Sequence, residues 1–268
     1  TYGRDLLKLG GELGIHGYNH QSLVLDQAQV DELGYNAWPN QESMKAALKE
    51  VTTFIKQSYP KYSVKVYVPP SNVLSEEGRQ ALKSELPEIK MIASLYAESA
   101  NNKEYTQEFS VAPDGMLEMP RITSGYADTE ITDWYIANAM TSIGVFSHFV
   151  HPDDILDSGR SKDKTWPVLS KEYRKMMGKV YQNYPWLRSL TASGAGEKLR
   201  EYVKAEVYLE HKDNRIFGYI NNFSQDMYFV LRTKKQITGT KQCDVVNIDE
   251  GVYLVYTTSP KFEIGLEG

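Results

Sequence analysis

The chain has 268 residues, 41% of them hydrophobic and 24% charged, with a formal net charge of −5, long enough to bury a substantial core in one large domain or two smaller ones. No run approaches the ~18 apolar residues of a membrane span, and the amino-terminal segment lacks the layout of a signal peptide. The acidic balance excludes a general nucleic-acid binder and suits a neutral or cationic substrate, while the single Cys243 excludes an internal disulfide and a thiolate zinc cluster.

From Thr1 to about Pro185 the pattern alternates helix and strand, which predicts a mainly parallel α/β sheet or barrel. Leu6-Leu7-Lys8-Leu9 ends at Gly10-Gly11 as a helix does, and Glu12 to His16 is the strand it feeds. Asn40 caps a helix over 41–59, with Met44, Leu48, Val51 and Ile55 on one face and Pro60 as a stop. A strand over 63–68 turns at Pro69-Pro70-Ser71-Asn72. Ser75 caps the next helix, to Leu86, with Glu76 and Glu77 in its first turn. Lys90 to Tyr96 is a strand, and residues 98–120 read as an insertion with a hairpin turn at Pro113-Asp114-Gly115. A helix near Glu130 to Thr141 leads to a strand over 143–150, and further helical pattern covers 171–184.

After Ala192-Ser-Gly-Ala-Gly196, read as a junction, the character changes. Residues 205–209, 216–220, 227–232 and 251–256 are short β-rich segments separated by turn formers such as Asp213-Asn214 and Asp249-Glu-Gly251. They predict an all-β module, a small sandwich, over 196–268, following an α/β part over 1–195. Nineteen tyrosines against 8 phenylalanines suit a carbohydrate surface, and in the carboxy-terminal part they equally suit strands.

Four of the five histidines fall in two tight pairs, His16 with His20 and His148 with His151. Each pair closes a short apolar run, so both should project from strand ends into a shared cleft. Neutral imidazole is the commonest protein ligand for zinc and similar ions, and ligands four residues apart can reach one ion. Gly17 stands where a helical His-x-x-x-His protease site carries its glutamate, and Gly17 with Asn19 spoils a helix, so this pair belongs to a strand-to-loop break. The two readings are a metal-assisted hydrolase and a pair of loop histidines bonded to backbone carbonyls.

The order of motifs adds a family. His16-x-x-x-His20 at a strand end, then Tyr67-Val-Pro-Pro-Ser-Asn72 before a helix, then a late strand ending in His151-Pro152, resembles the NodB-type polysaccharide deacetylases, the family-4 carbohydrate esterases. More narrowly, Pro-Pro-Ser-Asn72 with Phe146-Ser-His-Phe-Val-His-Pro-Asp-Asp154 is similar to bacterial deacetylase-like proteins known mainly as a domain of unknown function, some of them related to Pel-type exopolysaccharide loci. The resemblance covers roughly residues 1–190. It implies a distorted (β/α) barrel, a divalent metal ion with zinc the first candidate, a polysaccharide substrate, and a place outside the cell or at its surface.

Carried over by position, the resemblance makes His16 and His20 metal ligands and His151 the general acid that protonates the leaving amine. His148 is its rival, with a structural role as the other reading. Two departures accompany it. The family's Asp-Asp motif belongs on a first barrel strand that would precede residue 1, so the expectation is a chain lacking that strand, its aspartates upstream in the same protein. Asp153 and Asp154 are the local substitutes, and they read equally as cap and first-turn charge for Ile155-Leu156. The family's Arg-Pro-Pro is here Val68-Pro69-Pro70, so Arg121 could supply the missing guanidinium, or form an ordinary surface ion pair.

Tyr18, Asn72, Tyr126 and Trp166 are the substrate-side candidates, since aromatic faces stack on sugar rings. Asp133-Trp134 and Trp186 read as packing. The leading expectation is a metal-dependent N-deacetylase acting on a hexosamine-containing exopolysaccharide. The others are an inactive carbohydrate-binding relative and a glycoside hydrolase, which needs two positioned carboxylates.

Overall fold

In the computed structural model, which describes residues 2–96, 103–127 and 129–268, the chain divides into two compact units, Thr1–Glu197 and Lys198–Gly268. No helix among the described residues is long and apolar enough to cross a membrane.

The first unit is mixed α/β. Helix α1 (Tyr2–Lys8) stops where Gly10 takes φ +83°, and Gly11 N–H returns to the Leu6 carbonyl, the αL ending that glycine favours. Helix α2 (Gln41–Ser58) starts at Asn40, whose side chain accepts from Ser43 N–H, and α3 (Glu76–Glu85) starts at Ser75, which accepts from Gly78 N–H. Both caps were legible because Asn and Ser satisfy donors that a helix leaves open. Strand β1 (Val66–Tyr67) pairs in parallel with β2 (Met91–Ile92), and β2 with β4 (Leu117–Glu118). Strand β3 (Ser110–Val111) folds back on β4 through the expected turn at 113–115. Of the insertion expected over 98–120, residues 98–102 lie outside the described residues.

Parallel pairing continues on both sides of this sheet. Ile15 bridges Tyr67, Leu95 bridges Arg121, and β5 (Thr123–Ser124) pairs with β6 (His148–Phe149). The segments therefore follow one another across the unit in sequence order, and no closed barrel forms among the described residues. The strands are shorter than their apolar runs. Expected over 143–150, the last is reduced to His148–Phe149, because Ile143 caps helix α4 (Glu130–Ser142) and Gly144 has φ +76°. The core lies between the strands and α2 and α3, where Ile15, Leu23, Met44, Leu48, Tyr67, Leu82 and Ile92 are buried. Each large side chain there contributes about 1.5–3 kcal/mol.

Short α5 (Ser158–Ser161) precedes α6 (Trp166–Asn183), which starts five residues earlier than the 171–184 pattern because Pro167 occupies its first turn. The Ala-Ser-Gly-Ala-Gly stretch opens α7 (Ala192–Lys204), and the division between the two units falls just after it, within that helix. Its small residues serve packing, since a Cβ at Gly196 would come within 2.4 Å of Met91 Cε and 2.8 Å of Leu117 Cδ1. Ser193 N–H donates to Glu12 Oε2 at 2.8 Å, which places a carboxylate on the helix N-terminus.

The second unit is antiparallel. Strands β7 (Glu206–Lys212), β8 (Arg215–Asn221), β10 (Ile237–Lys241) and β13 (Lys261–Leu266) form one sheet in the order β10-β13-β8-β7. Strands β9 (Met227–Arg232), β11 (Asp244–Asp249) and β12 (Val252–Thr257) form another, ordered β11-β12-β9. Ile216, Ile220 and Phe262 of the first sheet meet Met227 and Val255 of the second in one core, which also buries Cys243. The β7–β8 hairpin turns at Asp213 and Asn214, with φ 48° and 56°, the two-residue turn that matches strand twist. Strands β10, β11 and β13 escaped the sequence reading because Ile237–Lys241 and Asp244–Asp249 are largely polar and exposed.

Candidate functional site

The first histidine pair sits where the leading segment leaves the sheet. Ile15 N–H donates to the Val66 carbonyl at 2.9 Å and Val68 N–H to the Ile15 carbonyl at 2.8 Å. The next side chain, His16, is exposed, and its Nδ1 lies 2.8 Å from the Val68 carbonyl. A carbonyl only accepts, so Nδ1 carries the proton and Nε2 presents its lone pair outward. This second contact is what fixes a ligating histidine's tautomer and ring orientation.

Gly17 follows at φ +74°, where a Cβ would lie 2.7 Å from Pro70 Cγ. Tyr18 then opens a tight turn. Its carbonyl accepts Gln21 N–H at 3.0 Å, and the two central residues, Asn19 and His20, have φ 49° and 56°. That turn folds His20 back on His16, with ring centroids 4.8 Å apart and planes at 80°. Burial pushes the His20 imidazole below its ordinary pKa, the charges of His16 and His151 act in the same direction, and Asp153 opposes them. The lowered pKa favours the neutral ring, the form that binds metals. Gly17→Ala is expected to cost about 1–3 kcal/mol, from the left-handed backbone and the Pro70 contact together. Urea unfolding should show a lower midpoint at unchanged slope.

The following loop is welded to the one after β1. Ser22 Oγ donates to the Pro70 carbonyl at 2.7 Å, and Trp38 Nε1 donates to the Ser22 carbonyl at 3.0 Å. Tyr18 faces Trp38 at 6.5 Å, half-buried. Asn72 sits at φ 60°, and its carbonyl accepts Tyr105 N–H at 2.7 Å. Both candidates therefore belong to the two loops that carry the His16–Val68 bond.

The second pair splits. His148 Nδ1 lies 2.8 Å from Thr123 Oγ1 and Nε2 2.8 Å from the Gly125 carbonyl, and burial pushes the imidazole's pKa down. With both ring nitrogens bonded, His148 clamps β6 to β5 and the turn beyond, which is the structural reading. Tyr126 is likewise a strut rather than a stacking face. It is 7% exposed, and its hydroxyl donates to the His151 carbonyl at 2.6 Å. Trp166, at the start of α6, meets Tyr126 edge-on at 6.0 Å and is 51% exposed, so it retains a free face.

His151 stands just before the 3₁₀ turn Pro152–Leu156. Its Nδ1 is 3.7 Å from Asp154 Oδ1, and Asp154 is buried and also takes the Arg160 guanidinium at 3.1 Å. Asp153, its neighbour, points to solvent and reaches His20 electrostatically. The sequence offered both aspartates as substitute carboxylates or as cap and first-turn charge; both stand in the first turn of the 3₁₀ segment, and their separate surroundings were not legible. The i, i+3 spacing of His151 and Asp154 was the available signal.

Arg121 is not a surface ion pair. Its guanidinium lies 4.4 Å from the Phe149 ring centroid, burial lowers its pKa, and it has no carboxylate partner among the described residues. The His151 ring stands 4.4 Å from the same Phe149 ring, so one phenyl group links the two. Trp134, expected to pack, is 61% exposed, while Asp133 pairs with Lys179.

The donor chemistry accommodates a divalent ion in part. His20 and the Nε2 of His16 could supply two ligands, and Asp153 is a carboxylate whose charge reaches His20. No group of three or more His, Cys, Asp or Glu side chains stands in ligand geometry among the described residues. Residues 2–254 match the family described as "Uncharacterised protein conserved in bacteria (DUF2194)". No curated protein and no solved structure matches the chain.

Proposed function

We propose that this chain, which belongs to the DUF2194 family of conserved bacterial proteins, acts as a metal-dependent hydrolase removing N-acetyl groups from a hexosamine-containing exopolysaccharide outside the cell or at its surface. The observation that carries the reading is the ring contact of His16 with His20, 4.8 Å between centroids, at the end of the first parallel segment; His151 follows the last such segment, and its charge is felt at His20. Together with the sequential order of the parallel segments, this supports a distorted barrel of the deacetylase type.

His16 and His20 would hold the ion, zinc being the candidate that two imidazoles favour. Bound there, it would polarise the acetyl carbonyl and acidify a water. The water's oxygen would bond to the acetyl carbon as Asp153, whose charge reaches His20, takes its proton; His151, beside Asp154, would give its own proton to the amine nitrogen as the C–N bond breaks, and acetate would leave. Arg121 supplies positive charge beside this step, and Trp166 and Tyr18 offer ring faces to the sugar. Val68, standing where the family that the chain resembles carries an arginine before Pro-Pro, is what favours the second reading, an inactive carbohydrate-binding relative.

Acetate release separates the two. The full-length protein with zinc should release acetate from an N-acetylglucosamine oligomer and lose that activity with a chelator. Oligomer binding without acetate would establish the inactive relative instead.

A further inference from the structure

We propose that the second unit carries a glycan-binding platform of its own, on the outer face of the sheet β10-β13-β8-β7. The register builds it. Tyr208 lies opposite Tyr219, and Tyr219 opposite Lys261. Two residues along, Glu210 lies opposite Phe217, Phe217 opposite Glu263, and Glu263 opposite Lys241. Positions two apart on a strand share a face, so both rows look the same way. The alternate positions of β8 and β13, Ile216, Ile220, Phe262 and Ile264, fill the core on the other side.

The aromatic row is therefore not needed for packing. Tyr208 and Tyr219 are 55% and 44% exposed, their rings lie 6.4 Å apart and tilted by 32°, and Lys261 Nζ stands 5.7 Å from the Tyr219 ring centroid. They line a groove of about 590 Å³ with Phe217, Gln242 and the four charged residues Glu210, Glu263, Lys241 and Lys261.

The occupant follows from the charge. Glu210 and Glu263 stand against Lys241, Lys261 and the Arg215 that pairs with Glu263, a mixed face one charge from balance, which offers little to a polyanion such as a nucleic acid. A protein partner would have to strip water from Glu263, which Arg215 and Lys241 hold, and desolvating such groups costs more than their pairing returns. A neutral sugar chain suits it. Its C–H faces stack on flat rings spaced for neighbouring sugar units, and its hydroxyls bond carboxylate and ammonium heads that stay hydrated.

Calorimetric titration of the full chain with hexamers of N-acetylglucosamine and of glucose tests this. At least one hexamer should bind, and Tyr208→Ala or Tyr219→Ala should each weaken it about tenfold. Both rings are exposed, so melting temperatures should not move; Tyr219→Phe should keep the affinity and confirm stacking. His16→Ala should leave this binding intact, so loss of the platform and loss of the deacetylase reading are told apart. Neither hexamer binding, or binding unchanged in the doubly substituted chain, would overturn the platform. So would a change of self-association in place of glycan affinity, measured by sedimentation, since the face would then be a contact between copies.

Discussion

His151→Ala is expected to lower acetate release from an N-acetylated oligomer by about 10²- to 10⁴-fold, the range of a positioned general acid, with KM little changed. The imidazole sits at the end of the last parallel segment, its backbone carbonyl tied to Tyr126 and its Nδ1 facing Asp154 at 3.7 Å. That distance is long for a hydrogen bond and within reach of an ion pair once the ring is protonated. Asp154→Asn should therefore cost less than His151→Ala and should lower kcat with KM little changed. His148→Ala is the control. Its nitrogens are already bound to Thr123 and Gly125, so the loss should appear as stability, by about 1–3 kcal/mol, rather than as a specific loss of turnover. Turnover that survives His151→Ala and falls only with His148→Ala would reverse the assignment.

The second large effect concerns the ion. His16→Ala and His20→Ala should each weaken zinc binding by more than about 100-fold, because even the outer partners of ligating histidines are worth 10- to 100-fold. Folding should be little affected by either substitution, since both side chains are exposed. His16 contributes more than its lone pair. Its Nδ1–H bond to the Val68 carbonyl keeps Nε2 directed outward, so His16→Gln, which can keep a donor to Val68 without an imidazole, should bind zinc no better than His16→Ala. The turn at Asn19 and His20 brings the second ring over the first.

The pairing of histidines was legible because it is local. His-x-x-x-His beside turn formers, and His-Phe-Val-His before Pro152, announce two strand ends. That His16 would anchor on Val68 depends on which segments lie side by side, and periodicity carries no such information. The same limit explains His148 and Tyr126. From sequence, a histidine in the late motif and a tyrosine in a loop look available for chemistry; tertiary contacts with Thr123, Gly125 and the His151 carbonyl employ them as struts. Asp154, read as a substitute carboxylate or as first-turn charge, lies in that first turn and is buried against His151 and Arg160.

Helices were read better than strands for a related reason. Asn40 and Ser75 cap with their own side chains, so each boundary is written in a few residues. The parallel ladders are as short as Val66–Tyr67 and His148–Phe149, well below the lengths of their apolar runs, because the chain turns away once one or two pairs have formed. In the second unit, the polar edges β10 and β11 look like loops until β13 and β12 pair with them.

Metal content of the full-length protein is the most direct test. After equilibrium dialysis against zinc, the wild-type protein should retain one ion per chain, and the chain carrying both His16→Ala and His20→Ala should retain none while melting at the same temperature. Wild-type protein that holds no zinc, or a double variant that holds as much as the wild type, would contradict the assignment of His16 and His20 as ligands and the hydrolase built on them.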